Sequence, residues 1–268
     1  MLAGFLVLAV ATFISLGEQS WSTELGAHGP IVLATGLWLL HYEGLRLANA
    51  GTAMPWRPLL PLLAVALIGY VFGRAYDFIS LETLALYLVF IACLLRLYGF
   101  AQVKRWGFPL LYLGFLIPIP GWILDRVTAP LQILVSTEAA HVTAMLGYPV
   151  ARQGVVLAVA QYQLFVEQAC AGMNSLVGLT AISLFYIYMV RRASWRYALI
   201  LVALILPIAI LVNIMRVVAL ILITYHFGDE AGQGFLHGTT GMALFGVALI
   251  LVLCIDMLLS RLLSRPAQ

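Results

Sequence analysis

Three residues of the 268-residue chain combine a reactive side chain with a setting that could use it: Cys170, Arg216 and His237. Cys170 stands just before an apolar run. A thiol at a helix N-terminus feels the positive end of the peptide dipoles, which favours the thiolate and so a nucleophile. Gly172, two residues on, would let a substrate backbone approach closely. The alternative is a small apolar packing residue, and Cys93 and Cys254, placed mid-run, are read that way. Arg216 interrupts a run at 197–225. An arginine at the centre of a span costs about 2.5–3.5 kcal/mol on insertion scales. Asn213, three residues earlier, shares its helix face. The pair predicts a fixed cation turned to the protein interior, against the alternative of a side chain snorkelling to headgroups. His237 precedes Gly238-Thr239-Thr240 and is expected to open a helix. A neutral imidazole there could take a proton from a thiol. His226, at the other end of an expected loop 226–237, competes with it and is read as an interfacial loop residue.

The elements that must position these residues follow from composition. Hydrophobic residues make up 63% of the chain and charged residues 9%; mean hydropathy is +1.04. A soluble fold of this size could not hide so much apolar surface, since ordinary soluble domains carry about 25% charged residues. The chain reads as an all-α polytopic membrane protein. Eight segments approach the roughly 17–25 apolar residues that a span requires: 2–16, 30–47, 59–72, 79–97, 106–118, 173–190, 197–225 and 238–259. The third and fifth are short, and the fifth could be re-entrant. With the N-terminus inside, ten of the 14 basic residues face the cytoplasm: Arg46, Arg57, Arg96, Lys104, Arg105, Arg191, Arg192, Arg196, Arg261 and Arg265. The positive-inside rule therefore selects N-in, C-in. The first segment lacks a basic flank and is read as a span rather than a signal peptide. At 1.5 Å per residue Arg216 then lies roughly 28 Å along its helix, near the outer boundary, as do Cys170 and His237.

The chain is read as one membrane domain over 1–268, with five spans in 1–118, an outer-face region over 119–170 and three spans in 171–268. Within the outer region, Leu124, Val127, Leu131, Leu134 and Val135 recur at helical spacing and predict an amphipathic helix on the membrane surface over 121–147. Gly147-Tyr148-Pro149 ends it. Residues 155–166, with Gln161 and Gln163 alternating with Tyr162 and Leu164, give a hairpin signal.

At these residues the sequence resembles the exosortase/archaeosortase family of integral-membrane sorting enzymes. His28-Gly29 resembles the family's early His-Gly, and Ile117-Pro118-Ile119-Pro120 its Ile-Pro-x-Pro signature. Pro130-Leu131-Gln132, Gly147-Tyr148-Pro149-Val150 and Gln153-Gly154 resemble the approach to the nucleophile. Val166-Glu167-Gln168-Ala169-Cys170-Ala171-Gly172-Met173 resembles the Glu-x-x-Cys-Ser-Gly-Ile core, with Ala171 and Met173 as departures. Gln153 stands where Glu is frequent. Asn213-Ile214-Met215-Arg216 resembles the Asn-x-x-Arg box and Phe235-Leu236-His237 the final His motif. The resemblance implies a cysteine protease or transpeptidase of a bacterial inner membrane, acting at the outer face. Cys170 would be nucleophile, His237 general base and Arg216 oxyanion partner, with Glu167, Gly172, Asn174 and Asn213 in support. The implied partner is an exported protein with a C-terminal sorting signal: a short motif such as Pro-Glu-Pro, a transmembrane helix and a basic tail.

A secondary transporter or channel for an anionic solute could also use Arg216 and Asn213, and a polysaccharide-export scaffold would need none of the three residues. No inverted repeat favours the transporter. No cofactor is expected: the sequence has no phosphate loop, dinucleotide fingerprint or serine elbow. Metal ligation is not expected, because no His/Cys pair has ligand spacing, nor is a nucleic-acid partner, because the basic residues follow the membrane face.

Overall fold

The structure, a computed structural model, describes residues 2–23, 26–44, 53–165, 175–191, 195–237 and 240–263. The chain divides into two compact units, Met1–Pro120 and Gly121–Gln268.

The first unit is helical: α1 (Leu2–Leu16), α2 (Gly29–Tyr42), α3 (Trp56–Ala75), α4 (Ile79–Arg105) and the short α5 (Gly107–Leu113). Its first helix runs past the expected stop at residue 16, through a π-helical turn Gly17–Trp21, to a length that can cross a membrane. The third segment, expected to be short, is a 20-residue helix; Trp56, Arg57 and Arg74 extend it beyond its apolar run. α3 and α4 form a hairpin. Phe78 N–H donates to the Gly73 carbonyl at 2.8 Å, Asp77 takes φ 52° in the turn, and Gly73 lies directly on the Glu82 backbone, where no Cβ fits. Beside this turn, Glu82 is buried and accepts from Thr12 Oγ1 at 2.8 Å and Arg74 Nη1 at 3.3 Å. Tyr70 donates its hydroxyl to the Leu8 carbonyl at 3.1 Å, so one polar knot joins α1, α3 and α4. α4 breaks at Gly99 (φ 76°, ψ 168°), and Tyr98 meets Trp106 edge-on at 4.9 Å. α5 has only seven residues, followed by a 3-10 turn. That is about 10 Å of helix, too short to span by itself.

The second unit opens with α6 (Gly121–Met145), followed by β1 (Val150–Gln153), β2 (Val156–Val159) and β3 (Tyr162–Phe165), then α7 (Ser175–Arg191), α8 (Trp195–Phe227), α9 (Asp229–His237) and α10 (Thr240–Leu263). The expected helix over 121–147 is present, but its buried face differs from the expected one. Thr128, Val135, Ser136, Ala139 and Thr143 are buried, whereas Val127 and Leu134 are exposed. Small side chains let this helix approach the sheet and α8 closely, while larger apolar ones can face lipid without penalty. The hairpin is present as β2 and β3, and a third strand, β1, completes an antiparallel sheet in the order β1-β2-β3. Val150 pairs with Val159, and Val156 with Phe165. Gln161 and Gln163 face outward while Leu157, Val159 and Leu164 join Val135, Ala139, Val217, Leu220 and Ile221 in one core. β1 went unread because its sequence, Val-Ala-Arg-Gln, has almost no apolar alternation.

Among the described residues, four helical stretches are long and apolar enough to cross a membrane: Ala3–Trp21, Trp56–Ala75, Ile79–Arg105 and Ala203–Phe227. A fifth arises if Gly107–Leu116 and Gly121–Met145 form one broken span. Gly29–Tyr42, Val177–Met189 and Leu249–Leu258 are apolar but shorter. The protein is thus a mostly helical, multi-pass membrane protein with a small sheet.

Candidate active site

α8 is the longest helix of the second unit and its organising element. Ile205, Ile208 and Val212 share a core with Leu179 and Ile187 of α7 and Val252 of α10. Further along, Val217, Leu220 and Ile221 pack on α6 and the sheet. Asn213 and Arg216 fall between these two cores, and each is 3% exposed. Snorkelling is therefore excluded for Arg216: the guanidinium is enclosed by protein. The i, i+3 spacing places the amide and the cation on one face, as the sequence required. Pro207 lies inside α8, which continues past it; its missing N–H leaves the Ala203 carbonyl without its helical donor.

α8 ends at a turn whose hinge is Gly228 (φ 89°), its N–H donating to the Thr224 carbonyl at 3.0 Å. Asp229 and Glu230 then begin α9, where carboxylates offset the N-terminal dipole. A Cβ on Gly232 would overlap Thr224 Oγ1 and meet Leu220 Cδ1 at 3.5 Å, so α9 lies against α8 at glycine distance. This corrects two expectations. Residues 229–237 are helix rather than loop, and His237 closes that helix instead of opening the last span. The acidic pair and the apolar spacing within a nine-residue stretch carried the missed signal.

His226 is occupied elsewhere. Its Nε2 lies 3.0 Å from the Tyr148 hydroxyl, and the two rings meet edge-on at 5.5 Å. The contact ties the end of α8 to the corner between α6 and β1. Cys170, Glu167, Gly172 and Asn174 lie outside the described residues, as does the His237 side chain. Of the expected site, then, Asn213 and Arg216 are brought together. Cys93 is buried as expected, whereas Cys254 is exposed on α10, so it faces away from the helix packing. Among the described residues, no three His, Cys, Asp or Glu side chains gather as a metal ion would need.

Sequence reasoning also missed Asp256, a fully buried carboxylate on α10 that accepts the Tyr186 hydroxyl of α7 at 3.1 Å. Its signal was an acid inside an apolar run, which is expensive unless satisfied by a neighbour.

These features define a class: a multi-pass helical membrane protein with a buried Asn–Arg face on its longest helix and a three-stranded sheet leading into a cysteine-bearing segment. The family model described as transmembrane exosortase matches residues 21–254. The chain belongs to the transmembrane exosortase family, and the matched range includes Cys170, Arg216 and His237. No curated protein and no solved structure matches it.

Proposed function

We propose that this exosortase-family protein is a membrane-embedded cysteine protease or transpeptidase that removes C-terminal sorting signals from exported proteins. In this reading the chain crosses a bacterial inner membrane eight times, N-in and C-in, and works at the outer face. The substrate presents a short motif, a transmembrane helix and a basic tail. The Cys170 thiolate attacks the peptide carbonyl, and the electron pair of the C–O double bond moves onto oxygen. Arg216 offsets that negative charge. His237, having taken the thiol proton, returns it to the departing amine as the C–N bond breaks. The resulting thioester is resolved by water or by an acceptor amine. Glu167, Gly172, Asn174 and Asn213 support the site.

The observation that carries this reading is the burial of Arg216 beside Asn213, in a chain whose composition makes such a residue costly unless it is used. The contact of Gly232 with Thr224 and Leu220 supports the role of His237. α9 leaves the Gly228 turn and passes Thr224 and then Leu220. Five more residues advance it about 7.5 Å, toward the turn of α8 that bears Arg216.

The test is co-expression with a tagged protein carrying such a sorting signal, read by mass spectrometry of the new C-terminus. Cys170→Ala should abolish cleavage at unchanged protein level. Cleavage retained in that variant would remove Cys170 as nucleophile.

A further inference from the structure

The α3–α4 hairpin carries a second arginine that the site above does not use. Arg96 lies 17 residues into α4, about 26 Å from the start of the helix. Trp56, which begins α3, lies 19 residues before the end of its helix, about 28 Å away. A hydrocarbon core is about 30 Å thick. The far end of this hairpin therefore reaches the membrane boundary opposite the Tyr76–Phe78 turn, whichever way the chain is oriented. There the Arg96 guanidinium sits over the Trp56 ring, 5.3 Å from its centre. Its Nε is shielded from solvent and has no hydrogen-bond partner. Among the described residues no carboxylate pairs with it. Trp56 itself is 44% exposed and Arg96 is partly exposed, so the pair lies at the surface of the protein. Arg57, exposed in the first turn of α3, adds a second cation.

The contrast with the other cation–aromatic pair is instructive. Arg126 lies 5.8 Å from the Trp122 ring, but its side chain is exposed and water can solvate it. Arg96 is partly withdrawn from water and, among the described residues, has a ring and no carboxylate beside it. A desolvated cation without a counter-ion is costly, and at this depth the abundant anion is the lipid phosphate. We infer that Arg96, Trp56 and Arg57 form a binding site for the phosphate of an anionic phospholipid headgroup. The guanidinium donates to the phosphate oxygens, Trp56 holds the guanidinium plane and borders the upper acyl chain, and Arg57 supplies the second charge. Lipid bound there would fix the open end of the α3–α4 hairpin.

The test uses the full-length protein in detergent, with dioleoylphosphatidylglycerol as probe and two controls. Dioleoylglycerol has the same chains without phosphate; inorganic phosphate has the charge without chains. Binding is read by native mass spectrometry and by the thermal midpoint. The phosphatidylglycerol should be retained and raise the midpoint, while neither control does so. Arg96→Gln should weaken its apparent affinity by about tenfold, the loss expected for a hydrogen bond to a charged group. Arg152→Gln, which removes the same charge from the sheet, should leave it unchanged. Should Arg96→Gln not fold, Trp56→Leu serves in its place, and the wild-type comparison alone still decides. Dioleoylglycerol binding equally well would overturn the proposal. So would inorganic phosphate matching the lipid, which would make this a site for a soluble anion. Unchanged affinity in both Arg96→Gln and Trp56→Leu would also overturn it.

Discussion

Arg216 and Arg96 show how one residue type takes two roles in one bilayer protein. Arg216 is enclosed on α8 with Asn213 beside it, whereas Arg96 faces a boundary with a tryptophan ring as its neighbour. The first setting suits a charge that must be held still for chemistry, because a preorganised donor has no reorientation to perform in the transition state. Arg216→Lys should therefore fail although it keeps the charge. A compact ammonium cannot reproduce the planar fork of the guanidinium. Cleavage of the tagged substrate should fall by about 10²–10³-fold, the range for loss of an oxyanion donor. Wild-type cleavage in that variant would show that only a diffuse positive charge is required. His226 teaches the converse lesson. From its position it looked like a free loop residue, but the Tyr148 hydroxyl engages it, which assigns it to holding the end of α8 in place.

At the scale of elements, the decisive contact is α9 against α8. Gly228 permits the change of direction, Asp229 and Glu230 start the new helix, and Gly232 allows it to lie on Thr224 and Leu220. Gly232→Ala tests whether that approach matters for the reaction. The added methyl overlaps the Thr224 hydroxyl and must push α9 outward, an overpacking that costs about 1–3 kcal/mol. Cleavage should fall by at least tenfold while the protein still inserts and purifies, because α9 ends on His237. The paired variant Gly232→Ala with Thr224→Ala removes the obstructing hydroxyl and should recover most of the lost activity. Failure to recover would separate the helix contact from the position of His237. Asp256 and Tyr186 make a comparable link between α10 and α7.

For the molecule as a whole, each unit adds a buried carboxylate to its apolar packing. In the first, a buried carboxylate gathers α1, α3 and α4: Glu82 accepts from Thr12 and from Arg74, whose side chain is 49% exposed. Removing that acceptor leaves the buried Thr12 hydroxyl with only its long 3.3 Å bond to the Tyr70 hydroxyl, while Arg74 can turn to water. Glu82→Ala should accordingly lower stability by about 1–3 kcal/mol, and the thermal midpoint in detergent by about 2–4 °C per kcal/mol. Cleavage by the surviving protein should be unaffected. Lost cleavage at an unchanged midpoint would instead give Glu82 a part in the reaction. In the second unit α8 packs against α6 and the sheet, α9 meets α8 at Gly232, and the buried Asp256 joins α10 to Tyr186 of α7.

Class and family were readable in the chain, and so was the shared face of Asn213 and Arg216, because hydropathy, motif order and helical spacing are properties of local sequence. The hairpin of β2 and β3 was readable too, since Gln161 and Gln163 alternate with residues that turn inward. What required the folded molecule was the choice of face. In lipid both the inside and the outside of a bundle are apolar, so a stripe of Leu and Val does not say which way it points. α6 accordingly buries Ser136, Ala139 and Thr143 and exposes Val127 and Leu134. The same ambiguity left Arg216 poised between snorkelling and burial. Packing against neighbours resolved each, because only contact distances, set by small side chains and glycines, distinguish protein from lipid.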